Sequence, residues 1–219
     1  MTTSQTISST HAVPAVMGLV NAINANRELL SEIDGAIGDG DHGINMSTGF
    51  TRFRETVEGK QLTFASALDA LGTTLLEVTG GSLGPLYGSM FMAMAESVAD
   101  KENIDAQSFL LMLETGRDSM MEIGGAKPGD KTLLDCLCPA IESYRAALSS
   151  NATFAECLQA MAQGAETGKE STRDMIARIG RASRLGERSR GVLDAGATSC
   201  SILLTSLAQS LQSQLESTK

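Results

Sequence analysis

The sequence predicts a single all-α domain with about eight helices, and three observations support that class. Apolar residues recur at steps of three and four through almost the whole chain, which is the helical period. No run of β-branched residues alternates with polar ones on both sides of a tight turn, so no strand is predicted. The chain has 219 residues, enough for one core without disulfides or metal ions. One domain is therefore expected over residues 1–219.

The first four helices follow from periodicity and from start and stop signals. The first is predicted to end near Ile33, and the second to run from after Gly43 to about Val57. Gly80-Gly81 ends the third, and Pro85 opens the fourth. Apolar positions that define these helices are Val16, Leu19, Val20, Ile23, Leu30, Phe64, Leu68, Leu71, Leu75, Leu76, Met90, Met92 and Met94.

The later helices have clearer capping signals. Asp105 is a good N-cap for the fifth, and Asp130 for a sixth that runs to about Leu148. Thr153 and Glu156 form a capping box for a seventh, which is expected to reach about Ala177. Residues 179–199 look like a loop, rich in glycine and arginine. The final helix has Leu203, Leu207, Leu211 and Leu215 at steps of four.

Four glycine-rich connections carry most of the polar residues that suggest chemistry. They follow the first, third, fifth and seventh predicted helices, and alternate connections in an up-and-down helical array lie at the same end. All four are therefore expected on one rim of the domain. They span residues 34–45, 80–88, 124–132 and 180–199.

Composition and charge exclude several classes of partner. The net charge of −9 and a pI near 4.7 disfavour binding to nucleic acid or to an anionic membrane surface. Four cysteines fit neither a disulfide framework nor a paired zinc site, so free thiols in a reducing compartment are expected. No signal peptide or membrane span is predicted, which favours a cytoplasmic location.

The loop IGDGDHGIN poses the sharpest chemical question. Asp34, Asp39 and Asp41 with glycine spacers and His42 suit a hard cation such as Mg²⁺ or Ca²⁺. It is not an EF-hand, because Ile44 stands where that loop needs glycine. The alternative is a solvated turn whose aspartates cap neighbouring helices.

The other three connections each have two interpretations. Gly81 and Ser82, before a proline-started helix, could hold a phosphate on backbone N–H groups or form an ordinary turn. The segment GGAKPGDKT fails the Walker pattern and could be a tight loop or a nucleotide-edge contact. An arginine cluster either is a solvated loop or neutralises a polyanion; its members are Arg178, Arg181, Arg184, Arg188 and Arg190. Residue chemistry alone suggests a phosphate-plus-metal site.

The segments AIGDGDHGINM, GGSLGPLYG, AKPGDKT, GRASRLGERSRG and DAGATS together resemble the L subunit of bacterial dihydroxyacetone kinases, the nucleotide-binding module of that family. The resemblance covers nearly the whole chain in the same order. It implies a closed antiparallel barrel of eight helices with the nucleotide on one rim.

The resemblance also implies roles for individual residues. Asp34, Asp39 and Asp41 would bind two Mg²⁺ ions that bridge the nucleotide phosphates. The positions that match nucleotide contacts are His42, Gly43, Ile44, Asn45, Ser82, Leu83, Gly124, Leu133, Arg181, Asp194, Ala195 and Gly196. Among them, Ser82 and Leu83 match the phosphate side, and Gly124 and Leu133 the base pocket. Leu83 replaces a small hydroxyl residue, and Ala195 replaces a frequent proline.

The implied activity is phosphoryl transfer to dihydroxyacetone or a similar short ketose, with ADP or ATP as cofactor. Such transfer depends on positioning and charge neutralisation, and Arg181 could offset phosphate charge. A histidine of a separate K subunit would hold the sugar, since this chain has only His42 and His11, the latter in a segment expected to be loose. A phosphotransferase-system protein could rephosphorylate bound ADP, or ATP could exchange.

Two other functions remain open from sequence. The chain could be a metal-dependent hydrolase of a phosphate or ribosyl ester, with Asp39 or Asp41 orienting water. It could also be a non-catalytic nucleotide-binding partner of a regulator.

Overall fold

A computed structural model describes residues 5–217 as an assembly of helices with one small sheet. The helices are α1 Val13–Ala25, α2 Arg27–Ile37, α3 His42–Val57, α4 Phe64–Val78, α5 Leu83–Ser97, α6 Ala106–Gly124, α7 Leu134–Ser149, α8 Phe154–Ser171 and α9 Ala195–Ser217. The strands are β1 Thr6–Ser8 and β2 Asn103–Asp105, and two 3-10 segments span Thr172–Asp174 and Arg181–Ser189. No helix within residues 5–217 is long and apolar enough to span a bilayer.

Eight of these helices form a closed ring. From α3 onward each helix packs against the next as far as α9, which also packs against α1, and α1 packs against α3. The remaining helix, α2, lies across one end against α3 and α9. The predicted all-α class and closed barrel of about eight helices are therefore confirmed.

The ring encloses an apolar core that holds the helices together. Phe109 stacks on Tyr144 with ring centroids 5.6 Å apart, and Tyr87 stacks on Phe91 at 6.3 Å. Each large side chain buried in this way contributes roughly 1.5–3 kcal/mol relative to an exposed one. The leucines that recur at steps of four along the last helix all face the core, since Leu203, Leu207, Leu211 and Leu215 are buried.

The alternation of the ring gives its two ends different roles. The α2–α3, α4–α5, α6–α7 and α8–α9 connections lie at one end, which we call the rim. The opposite end carries the sheet, in which β1 pairs antiparallel with β2 and Ile7 lies opposite Ile104. The backbone N–H of Phe64 also donates to the Ser9 carbonyl there, at 2.8 Å. Polar connections thus gather at the rim, as the order of the helices predicts.

The two strands correct the prediction that the chain has none. Three residues are too few for alternation to stand out in the sequence, and only the pairing of buried Ile7 with buried Ile104 identifies them. The sheet also anchors the segment around His11, which was expected to be loose.

The first predicted helix is two helices, because the chain breaks at Asn26. The Asn26 side chain donates to the Ala22 carbonyl at 2.8 Å, and its backbone leaves the helical region with φ −108° and ψ 11°. Such local side-chain bonds compete with the helical ladder. The break lets α2 turn across the rim and carry Asp34 with it.

Two of the predicted caps are confirmed and one is wrong. Asp105 caps α6 by accepting from the Ser108 N–H at 2.7 Å, and Thr153 and Glu156 form a capping box on α8. Asp130 does not cap α7, which begins at Leu134. Lys131 adopts a left-handed φ of 60°, so no helix can start from Asp130.

The chain after α8 is less regular than the helical pattern suggests. Helix α8 ends at Ser171, short of the predicted Ala177, and a 3-10 turn follows it. The loop-like 179–199 stretch contains the 3-10 segment Arg181–Ser189, which is interrupted at Gly186, where φ is 55°. Only from Ala195 does the chain become an α-helix again.

The four cysteines are free thiols, as the sequence predicts. Cys136, Cys157 and Cys200 are buried and Cys138 is half-buried. They lie on the ring helices α7, α8 and α9, where they fill space in the core.

Candidate functional site

The acidic loop lies at the centre of the rim, between α2 and α3. Asp34 is on the last turn of α2, and Asp41 immediately precedes the first residue of α3. Gly40 between them takes a φ of 79°, which an L side chain rarely adopts. The reversal brings the N–H of His42 within 3.3 Å of Asp34 Oδ2. The loop is thereby closed on itself, with Asp39 and Asp41 exposed.

Helix α3 begins in close contact with α2. A Cβ added at Gly43 would lie 2.8 Å from the Ser31 backbone nitrogen and would also meet the Arg27 carbonyl. Only glycine permits this approach. On the same turn, Ile44 is 44% exposed and Asn45 is half-buried. The His42–Asn45 turn therefore presents side chains at the surface of the rim.

Arg181 joins the arginine-rich segment to the acidic loop. Its guanidinium forms an ion pair with the Asp39 carboxylate, and both side chains are exposed, Arg181 at 62%. An exposed pair of this kind adds little to stability. Its importance is geometric, because it places a cation beside the aspartates from the opposite side of the rim.

His42, Ser199 and Tyr87 form a buried chain of hydrogen bonds across three helices. His42 Nε2 lies 2.9 Å from Ser199 Oγ, which lies 2.8 Å from the Tyr87 hydroxyl. Tyr87 also donates to the Gly196 carbonyl at 3.2 Å. Burial lowers the pKa of His42 to about 4, and the nearby Asp34 carboxylate only partly opposes this. The imidazole is therefore neutral near pH 7, and its orientation is fixed by α5 and α9.

The first turn of α5 meets α9 and the end of α6 at the rim. Ser82 is exposed and makes no side-chain cap, so the N–H groups of this turn are not satisfied by the usual capping bond. Leu83 is buried, and its side chain packs into the core. A Cβ at Gly124 would lie 2.8 Å from Leu86 Cδ2, which places the end of α6 against α5.

Asp194 organises the start of α9. Its Oδ1 accepts from the Ala197 N–H at 2.7 Å, and its own N–H donates to Thr172 Oγ1 at 3.0 Å. Burial of the carboxyl group raises its pKa to about 7, although the residue keeps some surface exposure. Ala195 is buried, and a Cβ at Gly196 would lie 3.4 Å from Leu133 Cβ. The α9 start and Leu133 thus border one another.

The residues singled out from the sequence are brought to one rim from all four connections, but the aspartates are not gathered into a ligand set. Asp34 is turned to the His42 amide and Asp39 to Arg181. In the part of the chain that the structure describes, no three histidine, cysteine, aspartate or glutamate side chains converge as a metal site.

The donor chemistry nevertheless fits a hard cation. Asp34, Asp39 and Asp41 all offer carboxylate oxygens, which Mg²⁺ prefers. Asp39 already binds one cationic group, the guanidinium of Arg181. Since Asp39 and Asp41 are exposed, their side chains have room to turn.

Sequence reasoning missed three residues of this rim. Tyr87 and Ser199 fix His42, and Lys131 is buried with its Nζ 2.7 Å from the Val192 carbonyl. All three lie inside segments that the sequence did single out, GGSLGPLYG, GGAKPGDKT and DAGATS. The signal was a polar side chain within a glycine-rich segment of the sequence, and its hydrogen-bond partner is revealed only by the fold.

Comparison with known proteins gives a consistent result. The DAK2 domain family model matches residues 36–209. The chain is 39% identical over 184 residues to the Escherichia coli PEP-dependent dihydroxyacetone kinase, ADP-binding subunit DhaL, covering 83% of this chain and 87% of that protein. It is 36% identical over 188 residues to a PEP-dependent subunit DhaL of Listeria innocua, covering 85% of this chain and 89% of that one.

A solved structure agrees in fold. The dihydroxyacetone kinase of C. freundii in its native form superposes with a TM-score of 0.71 at 25% identity, over 96% of this chain and 36% of its own. The same enzyme in complex with AMP-PNP and Mg²⁺ gives 0.68 at 24% identity, over 95% and 35%. This chain therefore spans about a third of that enzyme. By the extent of the family match and the coverage of its relatives, the chain belongs to the DAK2 domain family.

Proposed function

We propose that this chain is the nucleotide- and Mg²⁺-binding subunit of a dihydroxyacetone kinase, and that it transfers a phosphoryl group to dihydroxyacetone or a similar short ketose held on a separate K subunit. The observation that carries the proposal is the contact between Arg181 and Asp39, which joins the arginine segment to the acidic loop. The E. coli and L. innocua relatives, named as ADP-binding kinase subunits, support it.

Asp34, Asp39 and Asp41 would hold the metal. The resemblance to the family implies two Mg²⁺ ions at this place. A bound Mg²⁺ supplies neutralisation of the charge on the transferring phosphate. Arg181 adds a guanidinium at the same place, beside the Asp39 carboxylate. The net negative charge of the chain is then compatible with an anionic nucleotide, because the Mg²⁺ ions would bind together with the nucleotide.

The nucleotide would lie across the rim. Backbone N–H groups at the start of α5, beside Ser82, can donate to a phosphate. The Leu83 side chain is a hydrocarbon with no hydrogen-bond donor, and it is buried in the core; its contact would come from the backbone. Neutral His42 offers a hydrogen-bonding ring nitrogen, and Gly124 and Leu133 provide an apolar edge for the base. Asp194, Ala195 and Gly196 would close the site at the start of α9.

Among the residues that the structure describes, the rim offers no free histidine that could carry the sugar covalently. Its one histidine, His42, is committed to Ser199, and His11 lies among the residues before α1, toward the end that carries the sheet. In the family that the sequence resembles, a histidine of a separate K subunit holds the ketose, so we expect the chain alone to be inactive as a kinase. We propose a cytoplasmic location for both subunits.

The same relatives also bear on the type of phosphoryl donor. Both are described as PEP-dependent, which supports a bound ADP that is rephosphorylated in place by a phosphotransferase-system protein. We propose that this chain keeps its nucleotide between turnovers.

Purification without added nucleotide tests the proposal directly. The protein is denatured and the released compounds and metals are identified. Stoichiometric ADP with about two Mg²⁺ per chain is the expected result, by analogy with the family. The protein could instead be purified without nucleotide, bind ATP in the presence of Mg²⁺, and lose that binding in Asp39→Ala. That result would support the proposed kinase function but would indicate that the phosphoryl donor is ATP, which exchanges at each turnover.

Three outcomes would count against the proposal. Turnover of a phosphate or ribosyl ester by the isolated chain would favour a hydrolase. Tight ADP binding with no transfer to any ketose, even with a K subunit present, would favour a nucleotide-binding regulator partner. Absence of any nucleotide binding in the presence of Mg²⁺ would refute the proposal.

A further inference from the structure

Lys131 is a buried lysine whose ammonium donates to three backbone carbonyls. The residue is 2% exposed. Its Nζ donates to the carbonyl oxygens of Met175 at 3.2 Å, Ser189 at 2.5 Å and Val192 at 2.7 Å. A buried ammonium is costly unless its donors are satisfied, and three carbonyls satisfy all three. The backbone also accepts a left-handed φ of 60° at this lysine. Space filling alone explains neither feature.

The three carbonyls belong to one irregular segment, residues 172–194, which links α8 to α9. Met175 lies on its incoming part, and Ser189 and Val192 on its outgoing part. The two parts also meet each other, since the Gly191 N–H donates to the Arg173 carbonyl at 2.7 Å. Lys131 therefore ties together both ends of a loop whose middle is the 3-10 segment with Arg181.

The same loop is bound to the α6–α7 connection next to Lys131. The Arg178 N–H donates to the Asp130 carbonyl at 3.0 Å. Between Arg178 and Ser189, the loop projects across the rim, where Arg181 reaches Asp39. The Arg181–Asp39 pair is itself exposed and weak, so the position of Arg181 depends on how firmly the base of the loop is held.

We propose that Lys131 is a positioning residue for phosphoryl transfer: by clamping both ends of residues 172–194, it holds the arginine segment so that Arg181 stays beside the acidic loop. This inference rests on the proposed kinase function. Lys131 touches neither nucleotide nor metal in this role and acts through Arg181. The ammonium group is the essential part, because it donates to carbonyls of both stretches at once, in addition to the direct bonds that Gly191 N–H makes to the Arg173 carbonyl and Ala177 N–H to Ser189 Oγ.

Lys131→Met tests the proposal, because methionine preserves an unbranched apolar stem and removes the donors. Lys127→Met is the matched control, since Lys127 is exposed in the same connection four residues earlier. In the complete kinase with its partner subunit, Lys131→Met is expected to lower kcat at least about tenfold, a change of roughly 1.4 kcal/mol, with a smaller change in the KM for nucleotide. Lys127→Met is expected to match the wild type.

A double-mutant cycle with Arg181→Gln separates positioning from general damage. If Lys131 acts through Arg181, Lys131→Met is expected to cost nothing further once Arg181 is gone. Hydrogen exchange of amides in residues 173–192 is expected to accelerate in Lys131→Met while exchange in α4 and α5 stays unchanged. Additive losses in the cycle, or unchanged exchange in the loop, would overturn the proposal.

Lys131→Gln covers the case in which the methionine variant does not fold. Glutamine has a shorter side chain with an amide donor. The double-mutant cycle with Arg181→Gln and the hydrogen-exchange measurement are repeated with this variant, and the results that support or overturn the proposal are the same as for Lys131→Met. If the wild-type complex transfers no phosphoryl group at all, the proposed function fails. Accelerated exchange in residues 173–192 would in that case still show that Lys131 holds the loop, and unchanged exchange would show that it does not.

Discussion

Replacing Ser199 by alanine removes the centre of the buried chain that fixes His42. Ser199 Oγ has three partners, at 2.9 Å to His42 Nε2, 2.8 Å to the Tyr87 hydroxyl and 3.0 Å to the Gly196 carbonyl. In the variant, Tyr87 keeps its bond to Gly196, whereas His42 Nε2 loses the partner that the structure gives it. A buried polar group left unpaired costs about 1–3 kcal/mol, and a lost net hydrogen bond adds about 1 kcal/mol. We expect Ser199→Ala to lower the free energy of unfolding by about 2–4 kcal/mol.

Urea unfolding followed by far-UV circular dichroism measures this loss. Ser201→Ala is the control, because Ser201 is equally buried on α9 but has a single long bond, 3.3 Å to Glu166 Oε2. It is expected to cost less than about 1 kcal/mol. Nucleotide affinity should fall in Ser199→Ala only, since His42 is then free to rotate. Equal losses of stability in the two variants would refute the structural role of the His42–Ser199–Tyr87 hydrogen bonds.

Three further predictions follow from other parts of the molecule. The pKa of Asp194 is raised to about 7, so the folded state binds a proton that the unfolded state has already lost above its ordinary value of 3.8. This contribution to stability is complete below about pH 4 and is lost as the pH rises to about 7; Asp194→Asn should abolish that decline when stability is compared at pH 5 and 8. Gly43→Ala is expected to cost roughly 1–3 kcal/mol by forcing α3 away from α2, whereas Gly80→Ala, with open space around it, should stay within about 0.5 kcal/mol of wild type; thermal unfolding compares them. Burial raises the pKa of Cys138 to about 11, so thiol reagents at pH 8 should modify the folded protein slowly and all four cysteines quickly after denaturation.

The ring was predictable because its information is local. Helical periodicity is repeated in every element, and caps such as Asp105 and Thr153 are read within three or four residues. The gathering of four connections at one rim then follows from their order along the chain. The loop motifs that carry the family resemblance are short and local too, and they are spread along nearly the whole domain.

What escaped prediction depends on approach between distant residues. His42 meets Ser199 across 157 positions, and Lys131 meets Val192 across 61. No periodicity encodes such pairs. The wrong cap at Asp130 has the same origin, since the left-handed turn at Lys131 is sustained by contacts with a loop far along the sequence. The strands were missed because Ile7 and Ile104 form a pair only once the ring has closed.

The closure of the ring by α9 has a consequence for synthesis. Helix α9 lies between α8 and α1, and it supplies Ser199 to the rim and four leucines to the core. A nascent chain that has not yet released residues 195–217 from the ribosome has α1 and α8 with uncovered apolar faces and His42 without its partner. Such exposed surface is prone to association with other chains. The growing polypeptide must therefore wait for α9 before either its core or its rim is complete.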